Sequence, residues 1–226
     1  MRGLTIFTGF IASAIVFVGC VDPEGDYSDF TDRYNSINGQ GGAAGGGGQG
    51  GADAGPCTVP KAGELDGEYF FALAASTNKS KVSPKKPIAL LTTVTSKDNG
   101  GALQMEWNMQ PLKWEDRTTP IGDPIKLVAD VAADGTFDID PAPLDLVGEA
   151  NPLSHSPLTA DISSLAGKVC DLDGFYCGTI DGDVSKPIPL SIDGSTWTMV
   201  KVTGGSYPEP PTINCKKDLA DPLPIQ

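Results

Sequence analysis

A single histidine, His155, stands in a chain of 226 residues, and none of its five cysteines shows the CxxC spacing of a zinc site. Those two absences exclude a structural zinc centre built from the usual nitrogen and sulfur ligands. The nucleophile elbow G-x-S-x-G is missing, since Gly194-Ser195-Thr196-Trp197 breaks it, and neither a phosphate-binding glycine loop nor a dinucleotide fingerprint occurs. No cofactor and no metal are expected. Basic residues are scarce: 16 Lys and Arg face 29 Asp and Glu, for a formal net charge of -13. That balance argues against nucleic acid or anionic headgroups as partners, and Lys85-Lys86 is too small to form a basic patch. No stretch carries a sustained helical period. No apolar run reaches the roughly 20 residues that a helical bilayer crossing needs.

The longest apolar run, Leu4 to Val18, follows the weakly positive start Met1-Arg2-Gly3 and has the length of a signal-peptide core. It ends in Phe17-Val18-Gly19-Cys20. These four residues resemble the lipobox of bacterial lipoproteins, with Phe17 where leucine is usual. The resemblance covers only the leader. It implies a signal peptide over 1–19, cleavage between Gly19 and Cys20, and a diacylglycerol on the Cys20 thiol. Two or three acyl chains make a durable anchor where one does not. Val21 rather than Asp follows the cysteine, which by the same resemblance favours the outer membrane over the inner one.

Residues 20–56 read as a tether. Asp22 to Asn38 is polar and acidic, and Gly39 to Gly55 is almost wholly Gly, Ala and Gln. Such a composition buries too little apolar surface to offset its ordering entropy. A coil of this length has a root-mean-square reach of roughly 30–35 Å.

Residues 57–226 form the exported domain. Setting Cys20 aside leaves Cys57, Cys170, Cys177 and Cys215, an even number outside the cytoplasm, and hence two disulfides. Three connectivities are open. The preferred one pairs Cys170 with Cys177 around a short turn, and Cys57 with Cys215 as a staple between the domain's ends.

Period-two runs separated by turn residues dominate this domain. In Leu103-Gln104-Met105-Glu106-Trp107-Asn108-Met109-Gln110 every odd position is apolar and every even one polar, as in a half-buried strand. With Pro87 to Thr95 and the turn Asp98-Asn99-Gly100-Gly101 it predicts a hairpin. Ile125 to Val131 and Thr136 to Asp140 predict a second hairpin about Asp134-Gly135. Further strands are expected at Tyr69 to Ala75, Pro157 to Ser163, Phe175 to Ile180, Ile188 to Ile192 and Thr196 to Val202, the last two joined by Asp193-Gly194-Ser195. Leu144 to Ala150 is ambiguous between strand and a turn of helix. The fold class is all-β: an antiparallel meander of about 8–10 strands with two disulfides, a β-barrel in preference to a β-sandwich. The domain resembles the β-rich lipoproteins that Gly-rich tethers accompany, without matching a named family.

A barrel of this size either fills itself with side chains or holds one small ligand. The stripe Leu103, Met105, Trp107 and Met109 reads first as core. Met105, Trp107 and Met109 are also the best candidates to line a ligand pocket, because thioethers and indoles adapt to apolar shapes. Trp114 and Trp197 read as core as well. Two acidic groups, Asp171, Asp173, Asp181 and Asp183 and then Asp134, Asp138 and Asp140, lack calcium-loop spacing and match the needs of turns. Ser154-His155-Ser156 reads as a surface loop. Glu106 with an aspartate is the only outline of a hydrolase site, and any acidic chain offers such pairs. The expectation is a non-enzymatic domain, anchored to the membrane by lipid, that binds a small molecule or an envelope protein. Its rivals are a structural or surface-coat protein with a filled core and, behind that, an acidic-site hydrolase.

Overall fold

A computed structural model describes residues 57–76, 86–141, 143–170 and 172–223. The leader 1–19, Cys20 and the tether 20–56 lie outside the described residues, as does Asp171.

Ten strands follow one another: β1 (Gly67–Ala74), β2 (Ile88–Asn99), β3 (Ala102–Pro111), β4 (Ile125–Val131), β5 (Thr136–Ile139), β6 (Leu144–Leu146), β7 (Leu158–Lys168), β8 (Phe175–Lys186), β9 (Leu190–Ser191) and β10 (Ser195–Lys201). A 3-10 turn, Gly148–Ala150, follows β6. All pairings are antiparallel, in the order β4-β3-β2-β1-β10-β8-β7-β5, with β6 beside β7 and β9 beside β8. Apart from those two short strands and the closing β1–β10 pair, every neighbour in space is also a neighbour in sequence. The first and last strands pair, Phe71 opposite Met199. The two free ends of the path, β4 and β5, are consecutive, and Ala132 N donates to Thr136 O across their turn at 2.8 Å. The eight-strand sheet thus nearly closes into a barrel.

Local chemistry explains these elements. The β2–β3 hairpin turns on Gly100 and Gly101 alone, with φ of 69° and 92°. Two successive left-handed residues give the turn that matches strand twist. Alternation then decides facing: Leu103, Met105, Trp107 and Met109 of β3 are buried, as are Leu127, Ala129 and Val131 of β4. β1 breaks the alternation. Tyr69, Phe70, Phe71 and Ala72 are all buried, because the inner face meets the barrel core while Phe70 and Ala72 belong to a second apolar cluster with Ala89 and Leu112.

At the barrel's centre Trp197 stacks on Phe71 (5.5 Å between centroids, 11° between planes), and Trp107 meets Phe137 edge-on at 5.5 Å. Two glycines make room for this cluster. Trp197 pairs with Gly178, Gly178 with Gly167, and Gly167 with Phe137, a single row across four strands. The Trp197 Nε1–H donates to Ala166 O at 3.0 Å.

The expected two disulfides are present, but the preferred pairing was wrong. Cys57 bonds Cys170 and Cys177 bonds Cys215, with Cα separations of 5.1 and 5.3 Å. Register is the reason. In the β7–β8 hairpin Lys168, not Cys170, stands opposite Cys177, so Cys170 falls beyond the strand end while Cys177 faces outward from the wall. The domain's ends are joined by β1–β10 pairing rather than by sulfur. A smaller correction concerns β9, which shrinks to two residues and pairs with β8 instead of forming a hairpin with β10. Ile192 O accepts from Ser195 N in a tight turn there, at 3.1 Å. Strands β7 and β8 run on to Lys168 and Lys186, past the expected Ser163 and Ile180.

Candidate functional site

The barrel interior is full. Met105, Trp107 and Met109, the sequence's best ligand-lining candidates, are 0%, 1% and 3% exposed within the apolar core. The gap that Met105 adjoins, between Leu65, Tyr69, Val94 and Tyr176, has no room for a water molecule. Trp197 lies in the same core. Burial raises the Tyr69 phenol above its ordinary pKa, against a hydrogen bond with Tyr176 that lowers it, and Asp66 raises it further. The Tyr69 hydroxyl donates to Leu65 O at 2.8 Å.

Of the acidic side chains singled out from the sequence, Asp134, Asp173 and Asp181 serve turns. Asp134 Oδ1 accepts from the Thr136 hydroxyl and N–H, which hold its carboxyl below the usual pKa. Asp173 accepts from Phe175 N. Asp181 accepts from Gly194 N and Asp193 from Gly182 N, so those two stitch the 192–194 turn to β8. Asp138 accepts from the Ser164 hydroxyl. Glu106 pairs with Lys97 on the exposed wall. Among the described residues no group of three or more His, Cys, Asp or Glu is placed to hold a metal ion.

Because strands alternate in direction, the short turns at 100–101, 132–135 and 169–174 share one end of the barrel. The longer connections 112–124 and 147–157 share the other. Long loops on a rigid scaffold are where binding surfaces are usually built. Here Trp114 N donates to Glu149 O at 2.9 Å, and the Trp114 ring stacks on exposed His155, 4.5 Å between centroids. His155 is the loop residue that the sequence indicated. Trp114 is half-buried in a loop rather than part of the core, a correction that alternation could not supply because it follows the strand pattern of β3 without belonging to it.

The 112–124 loop folds back over the outer wall, with Leu112 N on Ala89 O at 3.0 Å. The C-terminal segment 203–223 crosses the same wall from the other side. Between them opens a groove of about 510 Å³, floored by Phe70 and walled by Asp116, Arg117, Thr118 and Ser206 through Glu209. Arg117 is the keystone. Its side chain is 7% exposed, its Nη1 donates to both oxygens of Glu209 at 2.8 and 3.1 Å, and its Nη2 donates to Asp221 O at 3.1 Å. Its φ of 54° is a left-handed conformation costing a non-glycine about 1–2 kcal/mol, held here by those three bonds.

Asp116 orders the adjoining turn. Burial pushes its carboxyl up, but the Thr119 hydroxyl and the N–H groups of Thr118 and Thr119 outweigh this and hold it at about 2. The groove therefore presents the Asp116 carboxylate fixed by donors, and beside it Glu209, bonded to Arg117. Phe70 and Tyr207 add an aromatic contact, 5.7 Å between centroids.

Sequence reasoning passed over Phe70, Asp116, Arg117, Tyr207 and Glu209. Only one signal pointed to them: the unbroken apolar run Tyr69 to Ala75 implies a strand covered on both faces, and so a segment lying outside the barrel.

No protein-family model matches this chain, and no curated protein matches it. Among solved structures it is similar to the sensor domain of M. tuberculosis PknI in its monomer form. The identity is 14% and the TM-score 0.36, over 65% of this chain and 91% of that one.

Proposed function

We propose that this chain is an exported, non-enzymatic binding module, tethered to the membrane by lipid on Cys20, that takes a small molecule or an envelope component in the groove on its outer wall. The observation that carries the reading is the contrast between a core gap too small for a water molecule and an external groove of about 510 Å³. Its walls mix a carboxylate, hydroxyls and two aromatic rings, which suits a polar, extended segment better than an apolar molecule. Two disulfides are chemistry of an oxidising compartment, in keeping with export. The turn aspartates are occupied by backbone donors, which speaks against the acidic-site hydrolase. The packed interior also favours a second reading, a structural protein whose wall carries no ligand.

Native mass spectrometry of the lipid-bearing chain, purified in detergent without reductant, separates these. A ligand adduct, or binding of a component from a solubilised envelope fraction, that is lost in Ser206→Trp supports the module. Ser206 is exposed at the groove, so the indole fills it without entering the core. A bare mass with no binding from any envelope fraction supports the structural reading instead. The anchor has its own test: an alkyne fatty-acid label on the chain that disappears in Cys20→Ala.

A further inference from the structure

The two disulfides differ in exposure at one sulfur-bearing residue: Cys177 is half-buried like Cys57 and Cys170, and Cys215 is exposed. Cys57–Cys170 lies at the short-turn end, both residues half-buried. Gly135 presses on it so closely that a Cβ there would stand 2.6 Å from Cys57 Sγ and 3.1 Å from Cys170 Sγ. The carbonyl oxygen of Val169 is 3.7 Å from Cys57 Sγ.

Cys215, by contrast, is exposed at the tip of a small loop. That loop is self-contained: Ile213 N donates to Asp218 O at 2.9 Å, Asn214 Oδ1 accepts from Lys216 N and Asp218 N, and Asn214 Nδ2 donates to Asp218 Oδ2. Lys216 and Lys217 follow the cysteine directly, with Lys217 Nζ over the Phe175 ring at 4.6 Å. Lys168 stands across the strand from Cys177, on the same face of the sheet. Exposure admits an attacking thiolate, and nearby ammonium groups stabilise both it and the thiolate that leaves. The loop's one carboxylate, Asp218, is engaged by Asn214.

Few side-chain contacts fasten this part of the C-terminal segment to the described wall. The Thr196 and Thr198 hydroxyls donate to Ile213 O and Thr212 O, each at 2.7 Å, and Ile213 and Ala220 cover Ala74. The Arg117 contacts to Glu209 and Asp221 lie to either side.

We propose that Cys177–Cys215 is a site of reversible thiol–disulfide exchange, addressed at Cys215 Sγ by an external dithiol, and that its opening releases residues 211–220 from the wall while Cys57–Cys170 and the barrel stay intact. The dithiol's first thiolate attacks Cys215 Sγ, forming a mixed disulfide and expelling the Cys177 thiolate. Its second thiolate attacks its own sulfur in that mixed disulfide and expels the Cys215 thiolate. Two electrons pass to the protein, the reductant becomes a disulfide, and its two protons end on the cysteines. The inference does not depend on what the groove binds.

The test uses the full lipid-bearing chain in detergent, treated with dithiothreitol at pH 8, quenched at intervals with N-ethylmaleimide and peptide-mapped. The expected result is alkylation of Cys177 and Cys215 at least tenfold faster than of Cys57 and Cys170. Equal rates, or Cys57–Cys170 opening first, overturn the proposal. Hydrogen exchange on the selectively reduced protein reads the release: amides of 211–220 should exchange at least tenfold faster while β1, β8 and β10 keep their protection. Unchanged protection of 211–220 sinks the release, and an oxidised dithiol that fails to restore it sinks reversibility. Lys216→Glu with Lys217→Glu should slow alkylation severalfold, and an unchanged rate removes the lysines from the argument.

Discussion

Replacing Gly178 by alanine adds one methyl group to the row of side chains on which the barrel closes. Neither Gly178 nor its cross-strand partner Gly167 has left-handed backbone, so conformational freedom is not why glycine is there; space is. A Cβ on Gly178 would stand 1.9 Å from Ala166 O and 2.7 Å from Trp197 Nε1. The first of those atoms is backbone of the neighbouring strand, and it cannot give way without disturbing the β7–β8 ladder. A Cβ on Gly167 would meet only ring atoms, Trp197 Cζ2 at 2.4 Å and Phe137 Cζ at 2.7 Å. Overpacking a core costs about 1–3 kcal/mol and sometimes more. We expect about 2 kcal/mol for Gly167→Ala and at least about 3 kcal/mol for Gly178→Ala. In a domain of this size the latter lowers Tm by about 6–12 °C. Urea unfolding followed by tryptophan fluorescence measures both. A double-mutant cycle sharpens the argument: Trp197→Phe removes the ring atoms that Gly167→Ala would strike but leaves Ala166 O where it is. Gly167→Ala should therefore cost much less in the Trp197→Phe background, and Gly178→Ala should stay expensive. A loss below about 1 kcal/mol for Gly178→Ala, or strict additivity of the 167 and 197 substitutions, refutes the packing account.

Three further outcomes are expected. Trp107 and Trp197 are both buried, but Trp107 Nε1 has no hydrogen-bond partner among the described residues, whereas Trp197 Nε1 donates to Ala166 O. Trp107→Phe should then cost about 1–2 kcal/mol in urea, and Trp197→Phe about 1 kcal/mol more. Arg117→Met removes three charge-assisted bonds yet leaves Glu209 with access to water. The expected loss is about 2 kcal/mol, with faster hydrogen exchange across 205–223, and an unchanged exchange pattern would contradict the keystone role. The folded pKa of Asp116, about 2, is below the ordinary aspartate value of 3.8. Its contribution to stability is thus complete above 3.8 and lost as pH falls through about 2. Carbon-detected NMR titration should place its midpoint near 2 and move it upward in Thr119→Val; a midpoint near 3.8 in the native chain would show that the turn's donors do not hold the carboxylate.

Much of the wall was legible in the sequence, for a physical reason. A half-buried strand must alternate, a two-residue hairpin must place glycine at left-handed positions, and both demands are local. Leu103, Met105, Trp107 and Met109 could therefore be assigned to one face, and the Gly100-Gly101 turn to its hairpin, from neighbours alone; the hairpin expected about Asp134-Gly135 does not form, because β4 pairs with β3 and β5 with β7. The even count of exported cysteines likewise implied two disulfides. Pairing did not follow, because it depends on register: a shift of two positions between β7 and β8 decides whether Lys168 or Cys170 faces Cys177, and spacing along the chain does not encode that shift.

The candidate site was hidden for the same kind of reason. Asp116, Arg117 and Glu209 lie in segments without period, and Arg117 reaches Glu209 across 92 residues of sequence. What chose these partners was the route of the C-terminal segment over β1 and β10, hinted at only by the uninterrupted apolar run of β1. The sequence by itself determined the strands, their inward faces and the all-β class, since each rests on contacts a few residues long. Only the tertiary structure decided that the interior is filled, that the sulfurs pair as they do, and that the groove is outside. Those outcomes depend on which distant side chains share one volume, a quantity that exists only once the chain has closed on itself.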